Sequence, residues 1–516
     1  MPPVNRRTAH WTEADLPELQ QARYLWENDE PAKALEFFER AAKRHPRNLM
    51  ALLDAARALG NAHRLPEASA LLTRASRVLE KSPQGLERLG QSYRMAYMPD
   101  LAAECFAKAV QHPECLESVI ELTIYHERRH QLDRAESVLA PALVRHPDVA
   151  PLKLLHARLQ YRRGEWETAK SLYAAVSEDG QAHPYHRAQA YYELANLADK
   201  EEDYRGAYQY ALYAKDQLRP IAKGLDGQNA LWRERHKTLV RALSPELISS
   251  WQSEVQATDK TPVFLTGCPR SGTTLLERVL GAHPQIQSFD ELDIFPRFLC
   301  GAYFKDAAPD CTGEEALESC PERRLSELRA SYWRLFGNHE RLGRETQVLL
   351  DKNPSASGSV PVFLKLFPHA KVLFATRDPR DISVSCFLRF LPMNAVSVSF
   401  LDAARTVDYV NAELSMGADL RDRMPAEQAV EVRYESVIDD LEGTSKNALN
   451  GMQLDWSHEV AAYRELNSER EVNSPTYLEV TQPIHRKSAE RWKNYAFVFE
   501  SHWDEMSDLL GRLDYA

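Results

Sequence analysis

The sequence is poor in the features that mark exported, membrane-spanning and nucleic-acid-coating proteins. Seven cysteines are scattered over 516 residues without a Cys-x-x-Cys pair. That pattern predicts reduced thiols in a cytoplasm, and neither a disulfide framework nor a metal site. No run of 18 apolar residues occurs, so no membrane-spanning helix is expected. The opening stretch MPPVNRRTAHWTEADLPELQ holds no apolar segment of the secretory kind, which again predicts a cytoplasmic protein. A basic surplus is also missing: the net charge is -11, which argues against a nucleic-acid partner. One absence is local. In VFLTGCPRSGTTLLERVLGAHP, Gly267 and Gly272 stand where a G-x4-G-K-[ST] phosphate loop has its glycines, but Thr273 replaces the lysine. Without that lysine the loop has no point charge for a γ-phosphate.

What is present begins with a repeat. Ala34, Ala68, Ala102, Ala135 and Ala169 recur at steps of 34, 34, 33 and 34 residues, each followed four residues later by Phe38, Leu72, Phe106, Leu139 or Tyr173. A weaker sixth copy places Ala207 38 residues further on. A small residue lets two helices approach, and the bulky one a turn later fills the groove between them. Pro46, Pro83, Pro113 and Pro147 are expected to stop the helices between copies. This period resembles the tetratricopeptide repeat. The resemblance implies an α-solenoid of five or six helix pairs over residues 15–245, behind a tail at 1–14. A solenoid of this kind implies a possible protein partner, and self-association into a homodimer is an option for both halves. Tyr161, Tyr185, Tyr191 and Tyr192 are read as helix packing rather than a ligand cage.

After a junction at 246–260 the periodicity changes. Apolar runs at Pro262–Gly267, Thr346–Pro354, Ala370–Thr376 and Ala429–Val437 read as parallel strands separated by helices, so residues 261–516 are expected to form an α/β domain. Ligands of such sheets lie beyond the strand carboxyl ends. After the first run comes Arg270-Ser271-Gly272-Thr273-Thr274. Its backbone N–H groups, its hydroxyls and one guanidinium suit a terminal 5′-phosphate. After the Ala370–Thr376 run, Arg377, Ser385 and Arg389 suit a second phosphate. Pro379 is expected to open a helix that puts Ser385 and Arg389 on one face.

P-R-S-G-T-T after a strand, with R-D-P-R-D-x3-S-x3-R after a later one, resembles the sulfotransferases that use 3′-phosphoadenylyl sulfate (PAPS). The resemblance covers about residues 260–500. It implies a P-loop-like fold, PAPS as co-substrate, in-line sulfuryl transfer without a metal, and a hydroxyl acceptor in a peptide or small compound. The stretch HPQIQSFDELDIFPRF is closest to the tyrosylprotein sulfotransferases. Their pattern implies Glu291 as general base, with Asp290 and Asp293 as neighbours. It implies Lys352 of LLDKNPSAS as the cation on the leaving oxygen, and Tyr434 beside the nucleotide. NSPTYLEVTQPIHRKSAERWKNY implies Ser474 or Thr476 as a hydroxyl donor and Arg491 on the 3′-phosphate, with His485, Arg486 and Lys487 around the mouth. Tyrosylprotein sulfotransferases are membrane-anchored Golgi proteins, and this sequence lacks their anchor, which favours a bacterial cytoplasmic enzyme with an acceptor left open among peptide tyrosine, phenol, sugar and lipid alcohol. A P-loop kinase and an inactive sulfotransferase-fold binding module are the alternatives. Thr273 and the second arginine motif speak against the first; Arg270, Glu291 and Lys352 together speak against the second.

Overall fold

The computed structural model describes residues 11–28, 30–308, 311–466 and 486–515. They divide into two compact units, Met1–Pro147 with Ala330–Arg341, and Asp148–Arg329 with Leu342–Ala516.

The first unit holds four helix pairs, from Pro17–Glu27 with Pro31–Arg44 to Leu116–Arg128 with Leu132–Arg145. Ala34, Ala68, Ala102 and Ala135 are buried, as are Phe38, Leu72, Phe106 and Leu139, so the small-then-large pairs fill the helix interfaces as the period demands. Pro83 does not end a copy but opens the helix Pro83–Met95, where its missing N–H has no intrahelical acceptor to lose. The supposed tail is partly tied down: Thr12 N donates to Arg47 O, and Asn48 Nδ2 to Ala14 O at 2.7 Å.

The second unit starts with two further pairs, Ala150–Arg162 with Trp166–Ser177 and Pro184–Lys200 with Tyr204–Leu218. The helix Pro184–Lys200 has 17 residues where the corresponding Ala150–Arg162 has 13. One extra helical turn accounts for the 38-residue step before Ala207. The span expected as a linker is largely helical, as Pro245–Glu254.

Five parallel strands follow: β1 (Thr261–Gly267), β2 (Ile286–Asp290), β3 (Val348–Lys352), β4 (Lys371–Thr376) and β5 (Ala429–Arg433), in the order β2-β3-β1-β4-β5. β2 was not expected, because IQSFD is short and mixes polar with apolar residues at a sheet edge. The last strand ends at Arg433, and Tyr434 already begins a helix. β1 lies between β3 and β4, where the strand order reverses, which is where such sheets bind ligands. Among the described residues no helix is long and apolar enough to cross a membrane.

Candidate active site

The loop after β1 is built on three positive φ angles: Gly267 at 153°, Arg270 at 74° and Gly272 at 94°. Glycine tolerates this region; arginine does so at a cost of about 1–2 kcal/mol. At Gly272 space is short as well, since a Cβ would lie 2.6 Å from Tyr434 Cδ2. The helix Thr273–Leu280 starts directly after the turn with no side-chain cap, so its first N–H groups point at whatever the loop holds. Among the described residues, the buried Ser271 hydroxyl there has no hydrogen-bond partner. An acceptor such as a phosphate oxygen would satisfy it.

The second motif arrives on the helix Pro379–Phe387, capped by Asp378 accepting from Arg380 N at 2.9 Å. The helix ends before Arg389. The Phe387 carbonyl is occupied by Lys215 Nζ at 2.8 Å, and Pro392 follows, so Arg389 lies past the helix end instead of sharing its face with Ser385. The two motifs still meet: Arg270 Nε donates to Ser385 Oγ at 2.9 Å. Arg377 braces the arrangement. Its Nη1 donates to Arg270 O at 3.0 Å, its Nη2 to Ser488 O, and its guanidinium lies 4.7 Å from the Tyr434 ring. Tyr434 is thus packed between Gly272 and Arg377.

Positive charge is crowded here. Arg389 is pushed down to about 9, first by burial and then by the guanidiniums of Arg270 and Arg491. Arg270 is lowered too, again by burial foremost, with Arg491 adding to it. Like charges held together in this way favour an anion between them.

At the ends of β2 and β3 lies the third group. Asp290 and Lys352 are register partners, and the fully buried Lys352 Nζ lies 2.6 Å from Asp290 Oδ1, 2.7 Å from Glu291 Oε1 and 3.3 Å from Thr274 Oγ1. Burial pulls the Lys352 ammonium down, but Asp290, Glu291 and Glu277 more than offset it, so it is raised and stays charged. Glu291 also has a left-handed backbone, φ 54°, held by its N–H on Lys352 O at 3.1 Å. Its carboxylate is about one-third exposed, at 34%. Lys352 therefore touches both the candidate base and the loop helix.

Arg491 sits on the short turn Arg491–Tyr495. Arg486 lies on the surface, paired with Asp439, and Lys487 is exposed. Ser474, Thr476 and His485 lie outside the described residues. Two participants escaped the sequence reading. Asp381 accepts from Glu490 N and Trp492 N, both at 2.8 Å, and so ties the Arg491 turn to the second motif. Its signal is the second aspartate of R-D-P-R-D. Asp199 pairs with Arg491 at 3.0 Å; its signal is the broken repeat period. Of the four tyrosines, Tyr192 is buried and Tyr185 packs edge-on against Phe390, as helix packing requires.

The fold and loop define an α/β protein whose first strand runs into a glycine-containing loop without a lysine, beside a cluster of arginines. Residues 262–458 match the family model described as Sulfotransferase family, residues 25–86 that of the Tetratricopeptide repeat, and residues 103–219 that of Iml2/Tetratricopeptide repeat protein 39. The repeat region thus matches tetratricopeptide-repeat models and the sheet-bearing region matches the Sulfotransferase family model. It is 25% identical over 316 residues to an uncharacterized protein of Aquifex aeolicus, covering 60% of this chain and 40% of that one. To Protein-tyrosine sulfotransferase 1 of Danio rerio it is 24% identical over 252 residues, covering 45% of this chain and 66% of the relative. It therefore spans less than two thirds of either relative's length. The human Protein-tyrosine sulfotransferase 1 is 32% identical over 130 residues, 24% of this chain and 32% of the relative. Among solved structures, the sulfotransferase domain of the Synechococcus PCC 7002 olefin synthase aligns at a TM-score of 0.34 and 21% identity, covering 46% of this chain and 90% of that domain.

Proposed function

We propose that this chain transfers a sulfuryl group from PAPS to an acceptor hydroxyl. The observation that carries the reading is the 2.9 Å bond between Arg270 and Ser385, which brings two anion-suited motifs 115 residues apart into one site. The loop N–H groups, Arg270 and Ser271 hold the 5′-phosphate. Ser385, Arg389 and Arg491 hold the 3′-phosphate. Arg377 and Tyr434 brace these groups from behind.

Glu291 takes the proton of the acceptor hydroxyl as its oxygen bonds to sulfur. In the same step the bond from sulfur to the bridging phosphate oxygen breaks, and the Lys352 ammonium neutralises the charge left there. Glu291 later releases the proton to water. Arg270 and Lys352 are charged before the reaction starts and need no reorganisation. Ser474 or Thr476 would add a hydroxyl to the sulfuryl group. The acceptor is a phenol, a peptide tyrosine, a sugar or a lipid alcohol, and the repeat helices offer a surface for a protein partner.

The test is thermal unfolding with 3′-phosphoadenosine 5′-phosphate beside ATP, without magnesium. A ligand of the folded state at 100 times its Kd stabilises by about 2.7 kcal/mol. The bisphosphate is expected to raise the midpoint and ATP is not. A shift with ATP alone would replace this reading with a kinase or nucleotidase.

A further inference from the structure

We propose that Asp199, on the repeat helix Pro184–Lys200, is a positioning residue that aims Arg491 at the donor's 3′-phosphate. The inference rests on the donor reading above and adds the repeat array to the site.

Asp199 Oδ1 accepts from Arg491 Nη2 at 3.0 Å and from Nε at 3.3 Å, and it also accepts from the Tyr495 hydroxyl. The Asp199 and Arg491 side chains are only 21% and 16% exposed, so solvent screens the pair weakly. From the other side, Asp381 holds the backbone N–H groups flanking Arg491, and Glu490 before it is left-handed, φ 59°. The arginine is therefore fixed at its backbone by the second donor motif and at its guanidinium by the repeats.

An anchor is needed because Arg491 faces repulsion. It lowers the basicity of Arg270 and of Arg389, behind burial in each case. A long side chain pushed by two guanidiniums would otherwise turn to solvent. The anchor also has a specific origin in the sequence. First helices of the repeats begin at Leu49, Pro83, Leu116, Ala150 and Pro184, steps of 34, 33, 34 and 34, but the last is 17 residues long where the four before it are 13. Asp199 lies on those four additional residues. A helix of ordinary repeat length would end before reaching it. Glu193, on the same helix, acts favourably on Arg389, so one repeat helix serves two arginines of the cluster.

The test is calorimetry on the full chain with 3′-phosphoadenosine 5′-phosphate and with adenosine 5′-phosphate, which lacks the 3′ group. Asp199→Ala should weaken the bisphosphate by about tenfold or more and leave the monophosphate unchanged. Arg491→Ala should do the same, and the double variant should lose no more than either single one. If Asp199→Ala does not fold, Asp199→Asn, which keeps an acceptor oxygen, should show a smaller loss with the same selectivity. Equal weakening of both ligands would reduce Asp199 to a structural residue. Unchanged or tighter bisphosphate binding would make it a mere counter-charge, and either result overturns the inference. A wild-type chain that fails to prefer the bisphosphate would overturn the donor reading, and this inference with it.

Discussion

Lys352 is the residue on which the proposed chemistry turns, because it bonds to the base and to the loop helix at once. An ammonium between Asp290 and Glu291 at 2.6 and 2.7 Å holds both carboxylates in place. Asp290 is the more buried of the two, at 10% against 34%, so it suits the structural half of the pair and Glu291 the chemical half. Glu291→Gln keeps a hydrogen bond to Lys352 but cannot take a proton. It should leave bisphosphate affinity near normal and cut turnover by about 10²–10⁴. Single-turnover sulfate transfer with each acceptor class measures this, and unchanged turnover would move the base to another group. The resemblance to the tyrosylprotein sulfotransferases pointed to Glu291 and Lys352. It was silent on Asp290's bond, since the pairing depends on β2, a strand too short and mixed to be read beforehand.

At the scale of elements, the Arg491 turn depends on Asp381. Burial raises this carboxyl to about 6, with Arg377 and the N–H groups of Trp492 and Glu490 pulling the other way. Its ordinary value is 3.8. The folded chain therefore holds an extra proton between about pH 4 and 6. The associated stability is fully present below the unfolded value and is lost as pH rises through about 6, by about 3 kcal/mol between the limits. Asp381→Asn removes this titration. Compared with wild type, the variant should gain in relative thermal midpoint as pH goes from 4 to 7. A difference that stays flat over that range would mean that Asp381 titrates normally. At neutral pH the same variant presents an amide to one of the two N–H groups, so the turn should loosen and donor affinity should fall.

At the scale of the whole molecule, the second unit begins at Asp148, well before the sheet. Lys215 on the repeat helix Tyr204–Leu218 is fully buried, and its three N–H bonds go to Tyr192 Oη at 3.1 Å, Phe387 O at 2.8 Å and Phe400 O at 2.6 Å. Burial pushes this ammonium strongly down, while the carboxyl end of the Pro379–Phe387 helix favours a cation. Around it, Ala207, Ala211 and Leu218 share one apolar cluster with Cys386, Phe387 and Phe499. A chain beginning at Pro262 would strip this cover and leave two buried carbonyls without their donor, at about 1–3 kcal/mol each. Such a fragment is expected to be insoluble or unable to bind the bisphosphate. Soluble expression followed by calorimetry checks this, and a soluble, binding fragment would make the repeats an independent appendage.

Local chemistry alone determined the repeat helices, four of the five strands, and the glycine-containing loop after β1 with no lysine at Thr273. Each of these depends on residues close in the chain: alanine four residues before a bulky side chain, apolar runs ended by glycine or proline, hydroxyls beside Gly272. The family likeness followed from two such local motifs. Tertiary structure decided what needs distant partners. The bond from Arg270 to Ser385, the ammonium of Lys352 between two carboxylates, the turn fixed by Asp381 and the arginine held by Asp199 all join segments far apart in sequence. No period or spacing encodes those contacts, because they exist only once parallel strands bring their carboxyl ends to one edge and an overlong repeat helix reaches across to meet them.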